Sequence, residues 1–151
     1  MIGLVGFCGL LLAAEQPIPF SHKVHAGAGL KCDDCHTLPG NGREAGLPAE
    51  SKCMACHVAI KTESPHIARL AAHAREKKPV RWERLYRVAD YVFFSHKRHV
   101  VKGGAACADC HGPVAERDVL AKEKPTSMKA CMDCHEERGA TNECNVCHDV
   151  R

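Results

Sequence analysis

The sequence is poor in the residues from which a protein of its length builds an interior. Aromatic residues make up 5% of its 151 residues, with one Trp, two Tyr and four Phe. From Glu15 onward, Leu, Ile, Val and Phe together account for about one residue in six, a level at which a chain usually cannot offset its conformational entropy. An ordinary apolar core is thereby excluded, and something other than side chains must supply one. Runs of one charge sign are also missing: 21 Lys and Arg are interspersed with 18 Asp and Glu, which excludes the basic groove that nucleic acid needs. The one apolar stretch without charge, Met1–Ala14, is shorter than the about twenty residues of a membrane span. It reads as the hydrophobic region of a secretory signal, or a short hydrophobic N-terminal segment, with cleavage expected near Ala13 or Ala14.

Cysteine and histidine, by contrast, are abundant, with eleven of each. Ten cysteines form five Cys-x-x-Cys pairs, Cys32/Cys35, Cys53/Cys56, Cys107/Cys110, Cys131/Cys134 and Cys144/Cys147. Each pair is followed at once by a histidine: His36, His57, His111, His135 and His148. Only Cys8 is left over, and it reads as an inert apolar thiol. Structural zinc and iron–sulfur clusters take four ligands per site and have no use for a histidine after every pair. A disulfide scaffold leaves the same histidines unexplained. Cys-x-x-Cys-His is the attachment signature of c-type haem, in which two thiols form thioethers to the porphyrin and the adjacent imidazole ligates the iron. Five haem c groups are expected, with those five histidines as proximal ligands. Their roughly ten propionates would outweigh the formal charge of +3, so the holoprotein is expected to be acidic.

An internal repeat organises the chain. Phe20-Ser21-His22-Lys23-Val24-His25 recurs as Phe94-Ser95-His96-Lys97-Arg98-His99, and each copy precedes a pair of haem motifs, the second copy gaining a third motif at Cys144–His148. The expected division is a dihaem half at 15–60, a helical connector at 61–90 and a trihaem half at 91–151, forming one compact pentahaem unit. In the connector, Ser64 and Pro65 mark a helix start, and Ile67, Leu70, Ala71 and Ala74 recur at helical spacing up to Lys77 and Pro79. Trp82, Leu85, Val88, Tyr91, Val92, Phe93 and Phe94 follow and are expected to pack against haem faces. Gly, Pro, Asn and Asp punctuate the rest, as in Leu38-Pro39-Gly40-Asn41-Gly42.

Low-spin haem iron takes a second axial ligand from the protein. Six histidines remain, and the two His-x-x-His pairs recur at a matching place ahead of a haem motif, so His22, His25, His96 and His99 are assigned as distal ligands. No histidine lies between His111 and His135, and Met128 stands three residues before Cys131. Methionine is a legitimate axial ligand that raises a haem's potential, and it also packs well against a porphyrin. Met128 is favoured as the fifth distal ligand, with His66 the alternative and His73 third.

Phe-Ser-His-Lys-x-His ahead of Cys-x-x-Cys-His resembles the class III multihaem cytochromes c. That resemblance implies that the first histidine of each pair ligates the haem that follows and the second reaches a later one. A second series, Lys61–Pro65, Lys78–Trp82, Asp90–His96, Cys110–Val114 and Ser127-Met128, is similar to the pentahaem subunit of alternative complex III and its relatives among quinone oxidoreductases. The likeness runs from Cys53 to Cys147, about two thirds of the chain. The implied fold is a multihaem cytochrome c, mostly irregular with a few short α-helices, little or no sheet, and a core formed by haems.

A compact chain of this length has a radius of gyration of about 15 Å, so five haems within it lie close enough for electrons to hop. With both axial positions filled, electron transfer is expected and enzymatic turnover is not. The implied setting is the periplasm or the outer face of the cytoplasmic membrane, reached by export. The implied partners are redox proteins, in particular membrane quinone oxidoreductase subunits, with no small-molecule substrate. The alternatives are a free periplasmic shuttle or extracellular filament unit, and a multihaem reductase with one open iron.

Overall fold

The computed structural model describes residues 15–40 and 42–148. The segment 1–14, with Cys8 and the expected cleavage site, lies outside the described residues, as do Asn41 and residues 149–151. The helices are short. The first, α1 (His22–Gly27), is capped by Ser21, whose Oγ accepts from the Val24 N–H at 3.1 Å. Single turns follow at α2 (Cys32–Cys35), α5 (Cys107–His111) and α7 (Cys144–Cys147), with two-turn and longer pieces at α3 (Glu50–His57), α4 (Pro65–Glu76) and α6 (Met128–Glu137). A π-helical turn at Lys97–Lys102 and a 3-10 turn at Val114–Glu116 complete the set among the described residues. There, extended pairing is limited to an isolated antiparallel bridge between Val92 and His148.

The connector helix lies where its sequence signals put it. Ser64 is its N-cap and Pro65 its first residue, although Ser64 Oγ makes no capping bond, so the fixed φ of Pro65 sets the start. It ends at Lys77, in the left-handed region at φ 52°, just before Lys78-Pro79. Leu70 on α4 is buried with Ile18 and Val80, and Cys53, Met54, Ile67 and Trp82 pack around these three.

This small cluster is the whole buried apolar core of the described residues. Burying three such side chains contributes at most about 5–9 kcal/mol, whereas ordering a chain of this length costs on the order of 100 kcal/mol. Tyr91 and Phe93 are exposed at 71% and 57% of their surface, so the polypeptide alone does not cover them. Elsewhere α1 packs on the Val114–Glu116 turn and α3 on α4. No helix among the described residues is long and apolar enough to cross a membrane.

Candidate haem centres

Each Cys-x-x-Cys pair sits on a helical turn, and this is a matter of spacing. Residues three apart lie close to one face of a helix, so the two thiols of a pair leave the backbone on neighbouring sides; His36 and His148 follow just past the helix end in extended backbone. All ten cysteines of the motifs are unpaired. Burial is the main influence on several of these thiols, and neighbouring motifs add to it. Burial and then Cys35 push the Cys53 thiol up, burial and then Cys32 push up Cys107, burial and then Cys134 push up Cys110, and burial and then Cys147 push up Cys131. Thiols of different motifs therefore lie near enough to influence one another.

Cys56 departs from its motif partner. Cys53 is half-buried against the Leu70 cluster, whereas Cys56, expected as an attachment residue on equal terms, is exposed near the C-terminal end of α3. Its carbonyl accepts the N–H groups of Ala59 at 3.0 Å and Ile60 at 3.1 Å, so the backbone of Cys56 closes the helix while its side chain faces outward. The physical reason is that α4 packs along α3 on the Cys53 side. The polypeptide thus partly covers Cys53 and leaves Cys56 exposed.

The histidines of the repeat face the histidines of the motifs. His22 and His36 have parallel rings, 9° apart in plane with centroids 6.4 Å apart. His96 and His111 match them at 4° and 6.2 Å. His25 meets His57 at 6.2 Å and 61°, and His99 meets His135 at 6.0 Å and 33°. Two imidazoles bound on opposite sides of one metal, with metal–nitrogen bonds of about 2 Å, have ring centroids about 6.3 Å apart. All four observed separations fit an iron between the rings.

The rings are also held in the tautomer that metal binding needs. Six of these eight histidines donate Nδ1–H to a backbone carbonyl: His25 to Ser21 at 2.7 Å, His36 to Gly46 at 3.0 Å, His57 to Ile60 at 3.0 Å, His96 to Arg43 at 2.8 Å, His99 to Ser95 at 2.8 Å and His135 to Thr141 at 2.7 Å. A ring that donates from Nδ1 keeps its lone pair on Nε2, free for a metal. His22 differs, since its Nδ1 is buried without a hydrogen-bond partner. Burial, then His36 and His25, push His22 down to about 4. Burial, then His96 and His36, lower His111 as well. Both environments favour the neutral imidazole, the form that ligates iron.

The positioning residues were only partly legible in the sequence. Phe20 stacks on His25 and meets His22 edge-on, and Phe94 does the same to His99 and His96. Tyr86, which no motif singles out, meets His111 edge-on with ring centroids 4.5 Å apart. Its hydroxyl donates to the His111 carbonyl at 3.4 Å and accepts the N–H groups of Glu123 at 2.9 Å and Lys124 at 3.2 Å.

The fifth motif is arranged differently. His148 is half-buried, and the ring that meets it is Tyr91, edge-on at 6.5 Å. Met128, the first residue of α6, is exposed at 68% of its surface. His66 is exposed on α4, and His73 is half-buried there with Nδ1–H donated to the Lys78 carbonyl at 2.8 Å. None of these three is brought onto His148 by a contact among the described residues.

Two family models divide the chain between them. Residues 9–83 match the class III cytochrome C family, and residues 92–149 match cytochrome c7 and related cytochrome c. The chain belongs to the multihaem cytochromes c of class III and c7 type, helical and irregular proteins that carry electrons on covalently bound haem c. It is 36% identical over 157 aligned residues to the multiheme cytochrome c subunit of menaquinone reductase from Nitratidesulfovibrio vulgaris Hildenborough, a match that covers 88% of this chain and 75% of that protein.

Proposed function

We propose that the chain binds five haem c groups and passes electrons as a subunit or dedicated partner of a quinone-linked membrane complex, on the periplasmic side. The observation that carries the reading is the set of four facing imidazole pairs. Haem, when bound, supplies a one-electron ferric–ferrous couple; the chain supplies everything that fixes and tunes it. The ten motif thiols, the exposed Cys56 among them, attach the porphyrins, and His36, His57, His111, His135 and His148 are the proximal ligands. His22 serves the site of His36, His25 that of His57, His96 that of His111, and His99 that of His135. At these four sites, filling both axial positions with imidazole would leave no place for a substrate, which supports transfer over catalysis there.

The quinone-linked setting rests on the similarity to a menaquinone reductase subunit. The uncharged apolar stretch 1–14 is read as the export signal. Within this reading, 15–60 is a dihaem half, 61–90 a connector and 91–151 a trihaem half. For the fifth iron, Met128 is the preferred distal ligand. It lies one turn before Cys131 on α6, the helix whose Met132 carbonyl accepts from Asn142 just ahead of the last motif. His66 is the alternative. The absence of a facing imidazole at His148 among the described residues favours one second reading, an open iron that binds a small anion there.

His22→Ala and His96→Ala test the assignment. Each variant should keep all haems attached and convert one iron to high spin in the electronic and electron paramagnetic resonance spectra. Unchanged spin states in both would refute the pairing. Cyanide or nitrite binding to the unaltered protein would support the open fifth iron, and its lack would remove that reading.

A further inference from the structure

The two halves exchange matching hydrogen bonds. The Lys23 N–H donates to the Arg117 carbonyl at 3.0 Å, and the Lys97 N–H donates to the Gly42 carbonyl at 3.2 Å. Lys23 and Lys97 hold the same place in the repeat. Gly42 and Arg117 are each the sixth residue after their motif histidine, His36 and His111. A tandem translation could make such a bond in one direction only. Making it in both directions requires a local two-fold relation, in which the contact of i with j is repeated by j with i. Other contacts repeat in the same way. Ser21 Oγ bonds Asp118 at 2.7 Å, on the loop that follows His111, while Ser95 Oγ bonds the Gly42 carbonyl at 3.3 Å, on the loop that follows His36.

We propose that this two-fold sets the first and third haem sites side by side and orders the five in one unbranched line: the sites of Cys53, Cys32, Cys107, Cys131 and Cys144 in turn. The inference rests on the axial pairing proposed above. His22 and His25 stand on one turn of α1, so the sites of His36 and His57 are held from a single element. His96 and His99 join the sites of His111 and His135 in the same manner. The last motif attaches beyond the fourth. The Phe93 N–H donates to the Cys147 carbonyl at 2.6 Å, Val92 bridges to His148, and Asn142 Nδ2 donates to the Met132 carbonyl of α6 at 3.1 Å. At the other end, among the described residues, the hydrogen bonds of residues 53–60 stay within residues 49–60.

A line has two ends, and the partners must meet them. The site of His57 and the site of His148 are the ports, one receiving from a reduced redox protein and the other giving to an oxidised one. With haem bound, an electron passed between neighbouring sites would oxidise one iron and reduce the next, so no other reactant would be needed. The site of His36 and the site of His111 form the interior pivot.

Iron positions from anomalous scattering in crystals of the holoprotein test the order, and inter-haem nuclear Overhauser contacts in the reduced protein test it in solution. The expected result places the irons of His36 and His111 adjacent, with a two-fold carrying the pair of His36 and His57 onto the pair of His111 and His135, and the iron of His148 nearest that of His135. An iron of His57 closer to those of His111 or His135 than to that of His36 would overturn the order, as would non-adjacent irons of His36 and His111. The pairing fails separately: the irons could keep this order while a histidine other than the one assigned sits on them.

Discussion

The ring of Phe94 lies over that of His99, with centroids 4.6 Å apart and planes 22° apart, and the same ring meets His96 edge-on at 4.8 Å. Phe20 stands in the same relation to His25 and His22, at 4.3 Å and 4.7 Å. One aromatic side chain thus orients two imidazoles three residues apart, and the carbonyl that takes Nδ1–H of the stacked ring belongs to the residue after it, Ser21 or Ser95. The Phe-Ser-His-x-x-His repeat is a two-ligand holder in which every named residue has a part.

Phe94→Ala should therefore disturb two irons together. A half-buried ring is worth less than the about 3–5 kcal/mol of a fully buried phenylalanine, so a loss of about 2 kcal/mol in the thermal unfolding of the holoprotein is expected. Two of the low-spin electron paramagnetic resonance signals should broaden or shift while the others stay. A change confined to one signal would show that the ring supports a single ligand.

Tyr86→Phe removes the hydroxyl that ties His111 to the backbone at Glu123 and Lys124. Losing hydrogen bonds of this kind costs about 1 kcal/mol. A lowered denaturation midpoint with unchanged haem content is expected; equal midpoints would mean the hydroxyl is not a tether.

Gly42 has φ +68° and lies against Lys97, so a methyl group there would collide with the Lys97 side chain as well as strain the backbone. Gly42→Ala should destabilise the contact between the halves by more than about 1 kcal/mol. Gly40→Ala, also at positive φ but with open space around it, is the control for strain without collision. Equal destabilisation of the two variants would argue against the packing of Gly42 on Lys97.

Acid should loosen the loop after the third motif. The Arg117 guanidinium bonds Glu123 at 2.6 Å and 3.0 Å and holds its carboxyl below the ordinary glutamate value, as burial alone would not. A carboxylate with a depressed folded pKa contributes stability that is present above its unfolded value and is lost as pH falls through the folded one. Stability should decline on acidification below the ordinary glutamate range, and Glu123→Gln should remove that component. An identical pH profile for the variant would contradict the role of the pair.

The sequence made legible whatever is local or covalent. The five motifs stand out because haem attachment fixes both spacing and residue type, and α4 stands out because Pro65 and Leu70 act within a few residues. The unequal burial of Cys53 and Cys56 was not legible, because it depends on which side of α3 the later helix α4 covers. Ile18 and Val80 were not legible as core, because neither belongs to a periodic stretch; they bury only through Leu70. Tyr86 was missed for a related reason, since its partner His111 is 25 residues away. The repeat also hides a difference. Its first copy forms α1, whereas the second forms a π-helical turn in which Val100 and Val101 replace Ala26 and Gly27. β-branched residues crowd the preceding turn of a helix. The backbone bonds of Lys23 and Lys97 leave no mark in residue type at all, so the reciprocal join of the halves emerges only in three dimensions.

The central claim is that iron porphyrins, attached at five motifs, replace the interior this chain lacks. Intact-mass measurement of protein made in a host with cytochrome c maturation tests it most directly. The account predicts the polypeptide mass increased by that of five haems, together with a Soret band. A mass equal to that of the bare polypeptide, or increased by fewer than five haems, would contradict it.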